Sequence, residues 1–329
     1  MRNPRKLTRI ILIFTVMLIS ISCEKYEPYT EEMQLNIRES VPLADPFIIL
    51  HDDMYYAYGT IAPSNGFKVY TSENLESWRL ENDFVLYKDD VVGDKDFWAP
   101  EVYYIEELEE FIMYYSANEY VCVAVSNSPL GPFVSSHDRH LVYEPGIDGT
   151  LFIDDDGEKY LYFKRNWYPN WISVVKLDDT YTSMKDDRII NCLSESQKWE
   201  DGIIEGPFVF KKDEWYYLTY SSHAYDDPAY GVGYAVSKNP IGPWDKYDGN
   251  PILQFPSYKG GSLYGTGHSS FFYDKNGNLK IAFHAHHDYG FPNRRDLFIA
   301  SIEFKSNPEG GAPILSIKND LFCPHLITE

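Results

Sequence analysis

Five stretches of this sequence open on a polar side chain that is followed directly by an apolar run, and four of those side chains are carboxylic acids. Carboxylic acids brought close together raise one another's pKa, so that one stays protonated near neutral pH while another is ionised. Glycoside hydrolysis is a reaction that needs this division into a general acid and a general base. An acidic funnel or a cation site is the alternative interpretation. The five residues, spaced 56, 47, 57 and 63 positions apart, are Asp45, Glu101, Asp148, Glu205 and His268.

Each of the five stretches has the pattern of a β-hairpin. Two runs rich in Tyr, Phe and Ile flank a short polar turn, as hairpins require. Asp156-Gly157 and Asn276-Gly277 supply turn residues that tolerate a positive φ. A second motif, SNSPLGPF at residues 126–133 and SKNPIGPW at residues 237–244, follows two of the hairpins, and TSENLESW at residues 71–78 is a looser copy. Each unit therefore predicts a hairpin, a third strand, a Pro/Gly turn and a fourth strand.

Four-stranded units repeated five times predict an all-β fold, a five-bladed β-propeller. A β-sandwich with a similar number of strands would leave the repeated Pro/Gly motif unexplained. The first strand of every propeller blade lines the central channel. We therefore expect the five opening residues to occupy equivalent positions in their blades and to meet around the propeller axis.

The composition limits the classes of function. The chain has 329 residues, of which 44% are hydrophobic and 16% aromatic, and its formal net charge is −21. Nucleic acid is excluded as a partner, because a phosphate polymer would be repelled. Intrinsic disorder is excluded by the aromatic content. Such a composition suits an extracytoplasmic all-β protein that handles sugars.

The amino terminus has the pattern of a targeting segment. A positively charged head over residues 2–9 precedes an uncharged apolar stretch at residues 10–21, which is too short for a membrane-spanning helix. Small residues then precede Cys23, as in a bacterial lipoprotein signal, where the cysteine is lipidated. An ordinary cleaved signal peptide is the alternative.

These features predict three segments: a signal peptide at residues 1–22, a linker at residues 23–40 and a catalytic propeller at residues 41–329. The protein is expected to be exported and held by its lipid anchor in the periplasm or at the surface of a bacterium. The lipid anchor is the expected contact with a membrane, and the protein is expected to be a monomer.

Several motifs together resemble glycoside hydrolase family 43. The three carboxylates lie in LADPF (Asp45), GIDGTLFIDDDG (Asp148) and IEGPF (Glu205). WAPEV, GHSSFF and an arginine pair before an apolar strand fit the same family, and the resemblance runs over residues 41–304. The resemblance implies a five-bladed propeller that cleaves arabinofuranosides, xylosides or galactosides with inversion.

The resemblance also implies a role for each carboxylate. Asp45 is expected to be the general base that deprotonates the attacking water, and Glu205 the general acid that protonates the departing oxygen. Asp148 is expected to keep the pKa of the acid high and to orient its side chain. An inverting pair leaves room for a water, at roughly 6.5–9.5 Å between the carboxyl groups.

Further residues are predicted to contact substrate. They are Trp98 as an aromatic wall, Glu101, His286, and one of the neighbours Arg294 and Arg295, of which alternation along a strand lets only one face the channel. His268 resembles a family histidine associated with a calcium or other ion through water, and a packed histidine is the alternative. Trp167, Tyr168 and Trp171 form either a carbohydrate platform or a plug between blades.

The sequence therefore predicts an inverting glycosidase, first an α-L-arabinofuranosidase, that acts on plant-type oligosaccharide or polysaccharide. A β-xylosidase or an exo-galactanase of the same family is the alternative within this class. A non-catalytic sugar-binding propeller at the cell surface and a glycoside phosphorylase are the alternatives outside it. No cofactor is required for the chemistry, and a structural calcium in the central channel stays open.

Overall fold

Antiparallel β-strands account for nearly all the structure of this chain. The computed structural model describes residues 40–254, 263–286 and 294–327. Within those ranges the one helical element is a 3-10 turn at Lys88–Asp90, and no helix has the length and hydropathy of a membrane span. Residues 1–22, the Cys23 lipidation site and the linker up to residue 39 lie outside the described residues, so the predictions made for them stay predictions.

The strands are, in chain order, β1 (Ala44–His51), β2 (Met54–Thr60), β3 (Gly66–Phe67), β4 (Val69–Ser72), β5 (Ser77–Leu80), β6 (Leu86–Tyr87), β7 (Trp98–Ile105), β8 (Glu110–Ala117), β9 (Tyr120–Ser126), β10 (Val134–Ser135), β11 (Gly146–Ile153), β12 (Lys159–Arg165), β13 (Trp171–Leu177), β14 (Ile190–Ser194), β15 (Ile204–Lys212), β16 (Trp215–Ser222), β17 (Gly231–Ser237), β18 (Asp245–Lys246), β19 (Tyr264–Tyr273), β20 (Leu279–His286), β21 (Arg295–Lys305), β22 (Ile314–Ile317) and β23 (His325–Leu326).

Each sequence repeat forms a blade of four antiparallel strands, and the sheet of blade 1 has β23 as a fifth strand. Blade 1 contains β1, β2, β4 and β5, and blades 2 to 5 contain β7–β10, β11–β14, β15–β18 and β19–β22. The short strands β3 and β6 form a separate ribbon beside blade 1. This arrangement confirms the predicted five-bladed β-propeller.

Alternate side chains of each second strand pack against two different neighbouring blades. In β8, Phe111, Met113 and Tyr115 belong to the core shared with blade 1, whereas Ile112 and Tyr114 belong to the core shared with blade 3. Five buried clusters arise in this way, one at each interface between blades. Because both faces of such a strand are buried, its sequence is a nearly continuous apolar run.

Tyrosine hydroxyls on the second strands connect adjacent blades. Three of these tyrosines stand at the same register position of their blades, opposite the first paired residue after the irregularity in the first strand. Each donates a hydrogen bond to a backbone carbonyl in the connection between the third and fourth strands of the next blade. The bonds are Tyr58 to Pro129 (2.7 Å), Tyr114 to Tyr181 (2.8 Å) and Tyr162 to Pro240 (2.5 Å). Two of the three acceptors are the proline of the repeated SxxPxGP motif, so the motif supplies an inter-blade hydrogen-bond acceptor.

Segments near both ends of the described chain close the ring between blades 5 and 1. The Val41 carbonyl, just before β1, accepts the Leu297 N–H of β21 at 2.9 Å. Near the carboxyl end, Phe322 exchanges two backbone hydrogen bonds of 3.0 Å with Ile299 of blade 5. The strand β23 then pairs in parallel with β5 of blade 1. Blade 1 is thus connected to blade 5 just before its innermost strand, β1, and again at its outermost strand, β5.

Replacing Tyr58 by Phe tests the inter-blade tyrosine bonds. The substitution keeps the buried ring but leaves the Pro129 carbonyl without its donor, which costs about 1–3 kcal/mol of unfolding free energy. Urea denaturation followed by tryptophan fluorescence measures the loss. The matched control is Tyr273→Phe, at a ring that is 62% exposed. Equal unfolding midpoints for the two variants would contradict the role of the hydroxyl.

Candidate functional site

Every first strand carries the same irregularity near its start. The register between the first and second strands shifts so that one extra residue is inserted, and a residue in the insertion has a positive φ, as in a β-bulge. A bulge bends the strand and redirects the side chains beside it. The five residues and their φ angles are Asp45 (51°), Ala99 (45°), Asp148 (59°), Gly206 (55°) and His268 (46°).

The prediction that all five opening residues occupy equivalent positions in their blades is wrong. Asp45, Asp148 and His268 do occupy the positive-φ position, whereas Glu205 precedes it by one residue and Glu101 follows it by two. The reason is that Ala-Pro in blade 2 and Gly-Pro in blade 4 occupy the bulge, so each carboxyl group comes from a neighbouring position. The carboxylates nevertheless converge on one region.

Hydrogen bonds connect the bulges in a ring around the channel. In four blades the backbone N–H of the bulge residue donates to a second-strand side chain of the preceding blade, and these acceptors all stand at one register position. The bonds are Ala99 to Thr60 Oγ1 (2.9 Å), Asp148 to Ser116 Oγ (3.0 Å), His268 to Ser221 Oγ (2.7 Å) and Asp45 to His284 Nδ1 (3.1 Å).

Blade 3 departs from this pattern because its acceptor position is occupied by Lys164, which pairs in register with Ile147. An ammonium group has no lone pair and accepts no hydrogen bond. The Gly206 N–H donates instead to Asp148 Oδ2 at 3.0 Å, and Lys164 turns to Glu205 Oε2 at 2.8 Å. The lysine at this position thus affects two predicted catalytic carboxylates. It binds Glu205 itself, and it leaves the Gly206 N–H to Asp148.

Asp45 is held in its ionised form. Its Oδ1 lies 2.8 Å from Arg295 Nη1 and 3.4 Å from His268 Nδ1, and its Oδ2 accepts the Thr60 hydroxyl at 2.6 Å. Burial would raise the pKa of Asp45, but Arg295 and His268 hold that pKa well below its ordinary value. Each carboxylate oxygen has two lone pairs, so Oδ2 keeps acceptor capacity for a water.

His284 supports Asp45 as a neutral imidazole. Because its Nδ1 accepts the Asp45 N–H, that nitrogen carries no proton. Burial and the nearby Arg295 together lower the pKa of His284 to about 3, against the opposing influence of Asp45. The ring stacks on Tyr230 with centroids 5.6 Å apart. Sequence analysis did not assign His284 a role, because its partner is a backbone group distant in sequence.

Glu205 is fixed at both carboxyl oxygens. Lys164 contacts Oε2 at 2.8 Å, and the Tyr230 hydroxyl donates to Oε1 at 3.0 Å. Tyr230 lies so close to Gly267 that a Cβ at this glycine would stand 2.2 Å from the tyrosine ring. The glycine in the GHSSFF motif therefore makes room for the tyrosine that orients Glu205.

The pKa of Asp148 depends on the charges of both other carboxylates. Burial and the negative charge of Glu205 raise the pKa of Asp148 to about 6, against the opposing influence of His268 and Lys164. Asp45 also raises it, so the three predicted carboxylates influence one another. The predicted convergence of Asp45, Asp148 and Glu205 on one site agrees with this geometry.

The arginine pair divides as strand alternation requires. Arg295 faces the site, where it binds Asp45 and lies over the Tyr225 ring with 4.6 Å between Cζ and the ring centroid. Arg294 points away, and its half-exposed side chain binds Asp296 at 2.8 Å and Ser40 at 3.0 Å. The structure therefore places Arg295 at the site and Arg294 at the edge of blade 5.

Trp98 and Glu101 both lie on β7 but at different depths. Trp98, which is partly exposed, occupies the register position in blade 2 that Glu205 occupies in blade 4. Glu101 is buried farther along the strand, where it accepts the Tyr103 hydroxyl, which in turn lies 3.2 Å from Thr150 Oγ1. Burial raises the pKa of Glu101 to about 8. Glu101 is thus a protonated acid at neutral pH.

Two other predictions concern His286 and the aromatic loop. His286 is buried, and its Nε2 lies 2.9 Å from the Tyr225 carbonyl oxygen. The backbone at Tyr225 therefore covers this side chain. Trp167 and Tyr168 are 57% and 94% exposed, which excludes the plug interpretation for these two side chains. Trp171 is partly exposed at the start of β13.

A metal ion finds no ready set of ligands in the part of the chain that the structure describes. No group of three or more His, Cys, Asp or Glu side chains there is arranged to hold one. His268 directs Nδ1 toward Asp45, whose Oδ1 also binds Arg295. These residues do not fit direct coordination of an ion, and an ion held through water near His268 stays a prediction.

Comparisons with known proteins agree on one family. The family model described as glycosyl hydrolases family 43 matches residues 40–308. A solved structure described as an endo-1,4-β-xylanase from Bacteroides thetaiotaomicron is 37% identical with a TM-score of 0.81, over 88% of this chain and 99% of that one. A β-D-galactofuranosidase of Aspergillus niger is 27% identical over 73% of each chain. An extracellular exo-α-(1→5)-L-arabinofuranosidase of Cellvibrio japonicus is 25% identical over 75% of this chain and 80% of the relative.

The protonated state of Glu101 predicts a dependence of stability on pH. An unfolded glutamic acid loses its proton near pH 4.5, whereas folded Glu101 keeps it to about pH 8. Between these values the folded state binds more protons, so the unfolding free energy falls as pH rises, by about 1.4 kcal/mol per pH unit. Glu101→Gln removes this contribution, and urea denaturation at pH 5, 6, 7 and 8 is expected to show a flatter profile.

The control for this experiment is Glu76→Gln, at an exposed glutamate. Its profile is expected to run parallel to that of the unmodified protein. A Glu101→Gln profile that also runs parallel would show that Glu101 ionises normally in the folded protein.

Proposed function

The chain belongs to glycosyl hydrolase family 43 and is a glycosidase, and on this premise we propose that it is an inverting α-L-arabinofuranosidase acting on plant-type oligosaccharide or polysaccharide. The observation that carries the proposal is the clustering of three carboxylates: Lys164 binds Glu205, the N–H of the adjacent Gly206 binds Asp148, and the charges of both Glu205 and Asp45 act on Asp148. Such a cluster provides one carboxylate for a water and another carboxyl group for a leaving oxygen.

In this mechanism Asp45 is the general base. Arg295 and His268 keep it ionised over the neutral range, and Thr60 fixes the orientation of the carboxylate. A water bound to Oδ2 transfers its proton to Asp45 as it attacks the anomeric carbon. Positioned bases of this kind contribute about 10²–10⁴-fold to the rate.

Glu205 is the general acid. Its two oxygens are oriented by Lys164 and Tyr230, so that the carboxyl group has a fixed direction before substrate binds. The Lys164 contact at Oε2 must give way to a proton before Glu205 donates one to the departing oxygen. The neighbouring Asp148 assists by accepting the N–H of Gly206, which holds the backbone beside Glu205 in place.

The reaction is a single displacement. Positive charge develops at the anomeric carbon and the ring oxygen in an oxocarbenium-like transition state, and the surrounding carboxylates stabilise it. The bond to the leaving oxygen breaks as the bond to water forms on the opposite face, so the anomeric configuration inverts. The proposed roles of Asp45, Asp148 and Glu205 need no cofactor.

The relatives guide the choice of sugar. Two of them carry names for enzymes of furanosides, a β-D-galactofuranosidase and an exo-α-(1→5)-L-arabinofuranosidase. These names support an arabinofuranoside as the substrate of this chain. The 37% identity to the structure described as an endo-1,4-β-xylanase favours a β-xylosidase as the second candidate.

Substitution of the two carboxylates separates their roles. Asp45→Asn is expected to lower kcat by about 10³-fold on every substrate, since water loses its base. Glu205→Gln is expected to lower kcat by a similar factor on sugar leaving groups but by less than tenfold on 4-nitrophenyl glycosides, whose leaving group needs little protonation. Circular dichroism checks that both variants are folded. Equal activity of both variants and the unmodified protein would remove the assigned roles.

The sugar and the stereochemistry are tested in one assay. Aryl α-L-arabinofuranoside, β-D-xyloside and β-D-galactoside are each incubated with the purified protein, and proton NMR follows the first anomer formed. We expect the fastest hydrolysis with the arabinofuranoside and a first product of opposite anomeric configuration. Retention would contradict the role of Asp45 as a base, and preference for the xyloside would replace the first candidate by the second.

A further inference from the structure

Two large aromatic side chains project into solvent from the loop at residues 166–170, between β12 and β13. Trp167 is 57% exposed and Tyr168 is 94% exposed. Most of the tyrosines that the structure describes pack in or against the cores between blades, so a ring as exposed as that of Tyr168 is a departure from the use the fold makes of this residue. We call Trp167 and Tyr168 the aromatic tip.

The aromatic tip lies at the end of blade 3 that carries the site. Arg165 and Lys164, the last residues of β12, pair with Gly146 and Ile147, directly before Asp148. The loop therefore leaves the blade at the Asp148 end. Lys164, three residues before Trp167, is the residue that contacts Glu205.

The loop is also tied to the segment that leads into Glu205. The Asn170 side-chain amide donates to the Gly202 carbonyl at 2.6 Å, three residues before Glu205. Arg165, at the base of the loop, is neutralised by Glu144 and also bonds Asn191 at 2.9 Å. The loop is thus anchored at both ends, and its charged neighbour is already paired.

The general acid defines the side of the site on which the leaving group stands, because it donates its proton to the departing oxygen. The loop that carries the aromatic tip is tied to the segment before Glu205, whereas Asp45 binds Arg295 of blade 5, which lies over the Tyr225 ring of the blade 4 loop. Sugar rings present apolar C–H faces that pack on aromatic side chains, which offer large contact area at low conformational cost.

We infer that the aromatic tip binds the leaving-group portion of the substrate, a neutral oligosaccharide or polysaccharide chain that continues beyond the cleaved bond. The inference rests on the proposed function, since it uses Glu205 as the acid. It makes this chain an enzyme for extended glycans, with the terminal sugar held in the channel and the remaining chain lying across blade 3.

The experiment compares a polymer with a substrate that lacks a sugar leaving group. The double variant Trp167→Ala/Tyr168→Ala is assayed on linear α-1,5-arabinan, on arabinoxylan and on methyl α-L-arabinofuranoside. We expect kcat/KM to fall about tenfold or more on the polymer that the unmodified protein hydrolyses, mainly through KM, and to stay within twofold on the methyl glycoside. The variant Trp167→Phe/Tyr168→Phe is expected to recover most of the loss.

The matched control is Tyr273→Ala. Tyr273 is 62% exposed but ends β19 at the opposite end of blade 5, away from His268. Its kinetics on both substrate types are expected to equal those of the unmodified protein. Unchanged kcat/KM on the polymer in the aromatic-tip double variant, or an equal loss on the methyl glycoside, would overturn the inference.

Failure of the proposed function is distinguishable from failure of the inference. An unmodified protein that hydrolyses none of these substrates contradicts the α-L-arabinofuranosidase activity. Affinity electrophoresis in gels containing arabinan or arabinoxylan then tests the aromatic tip by binding alone. Retardation of the unmodified protein that is lost in the double variant supports the tip, and equal mobility of the two contradicts it.

Discussion

The backbone N–H groups of the five bulges impose the constraint on which the rest of this site depends. A buried N–H without an acceptor costs free energy comparable to a lost hydrogen bond. In this propeller each bulge N–H finds its acceptor on a side chain of the preceding blade, and in four of the five cases that side chain belongs to the second strand. The bonds that satisfy the backbone therefore also fix the rotation of each blade relative to the next, and with it the positions of the side chains that face the channel.

Asp148 and Glu205 lie at the blade boundary where this hydrogen-bond pattern changes. Lys164 occupies an acceptor position but has no lone pair to offer, so the carboxylate of Asp148 takes the Gly206 N–H instead. The same lysine is then free to bind Glu205. One residue type in one blade thus turns a structural hydrogen bond into a link between two carboxylates. A serine at this position, as in blades 2 and 4, would satisfy the backbone and leave Asp148 uncommitted.

Sequence alone predicted the five repeats and the convergence of Asp45, Asp148 and Glu205, because apolar runs and turn residues are local signals. The expectation that the five opening residues occupy equivalent positions was wrong, because the Ala-Pro and Gly-Pro pairs of blades 2 and 4 do not mark the bulge in the sequence. Lys164 and Tyr230 were missed for another reason. Their roles depend on strand register and on a loop that returns to the channel, and neither leaves a periodic pattern in the sequence. The choice of Arg295 over Arg294 likewise needed the position of Asp45.

The different surroundings of Asp45 and Asp148 explain how two buried carboxyl groups acquire different pKa values. Asp45 receives a guanidinium from blade 5 and a hydroxyl from its own blade, so its charge is compensated and its pKa is held low despite burial. Asp148 accepts a backbone N–H, and burial together with the charges of Glu205 and Asp45 raises its pKa to about 6. The guanidinium that blade 5 supplies thus keeps Asp45 ionised. Because Arg295 pairs in register with His286 and Lys164 with Ile147, the position of each cation beside its carboxylate follows from strand pairing.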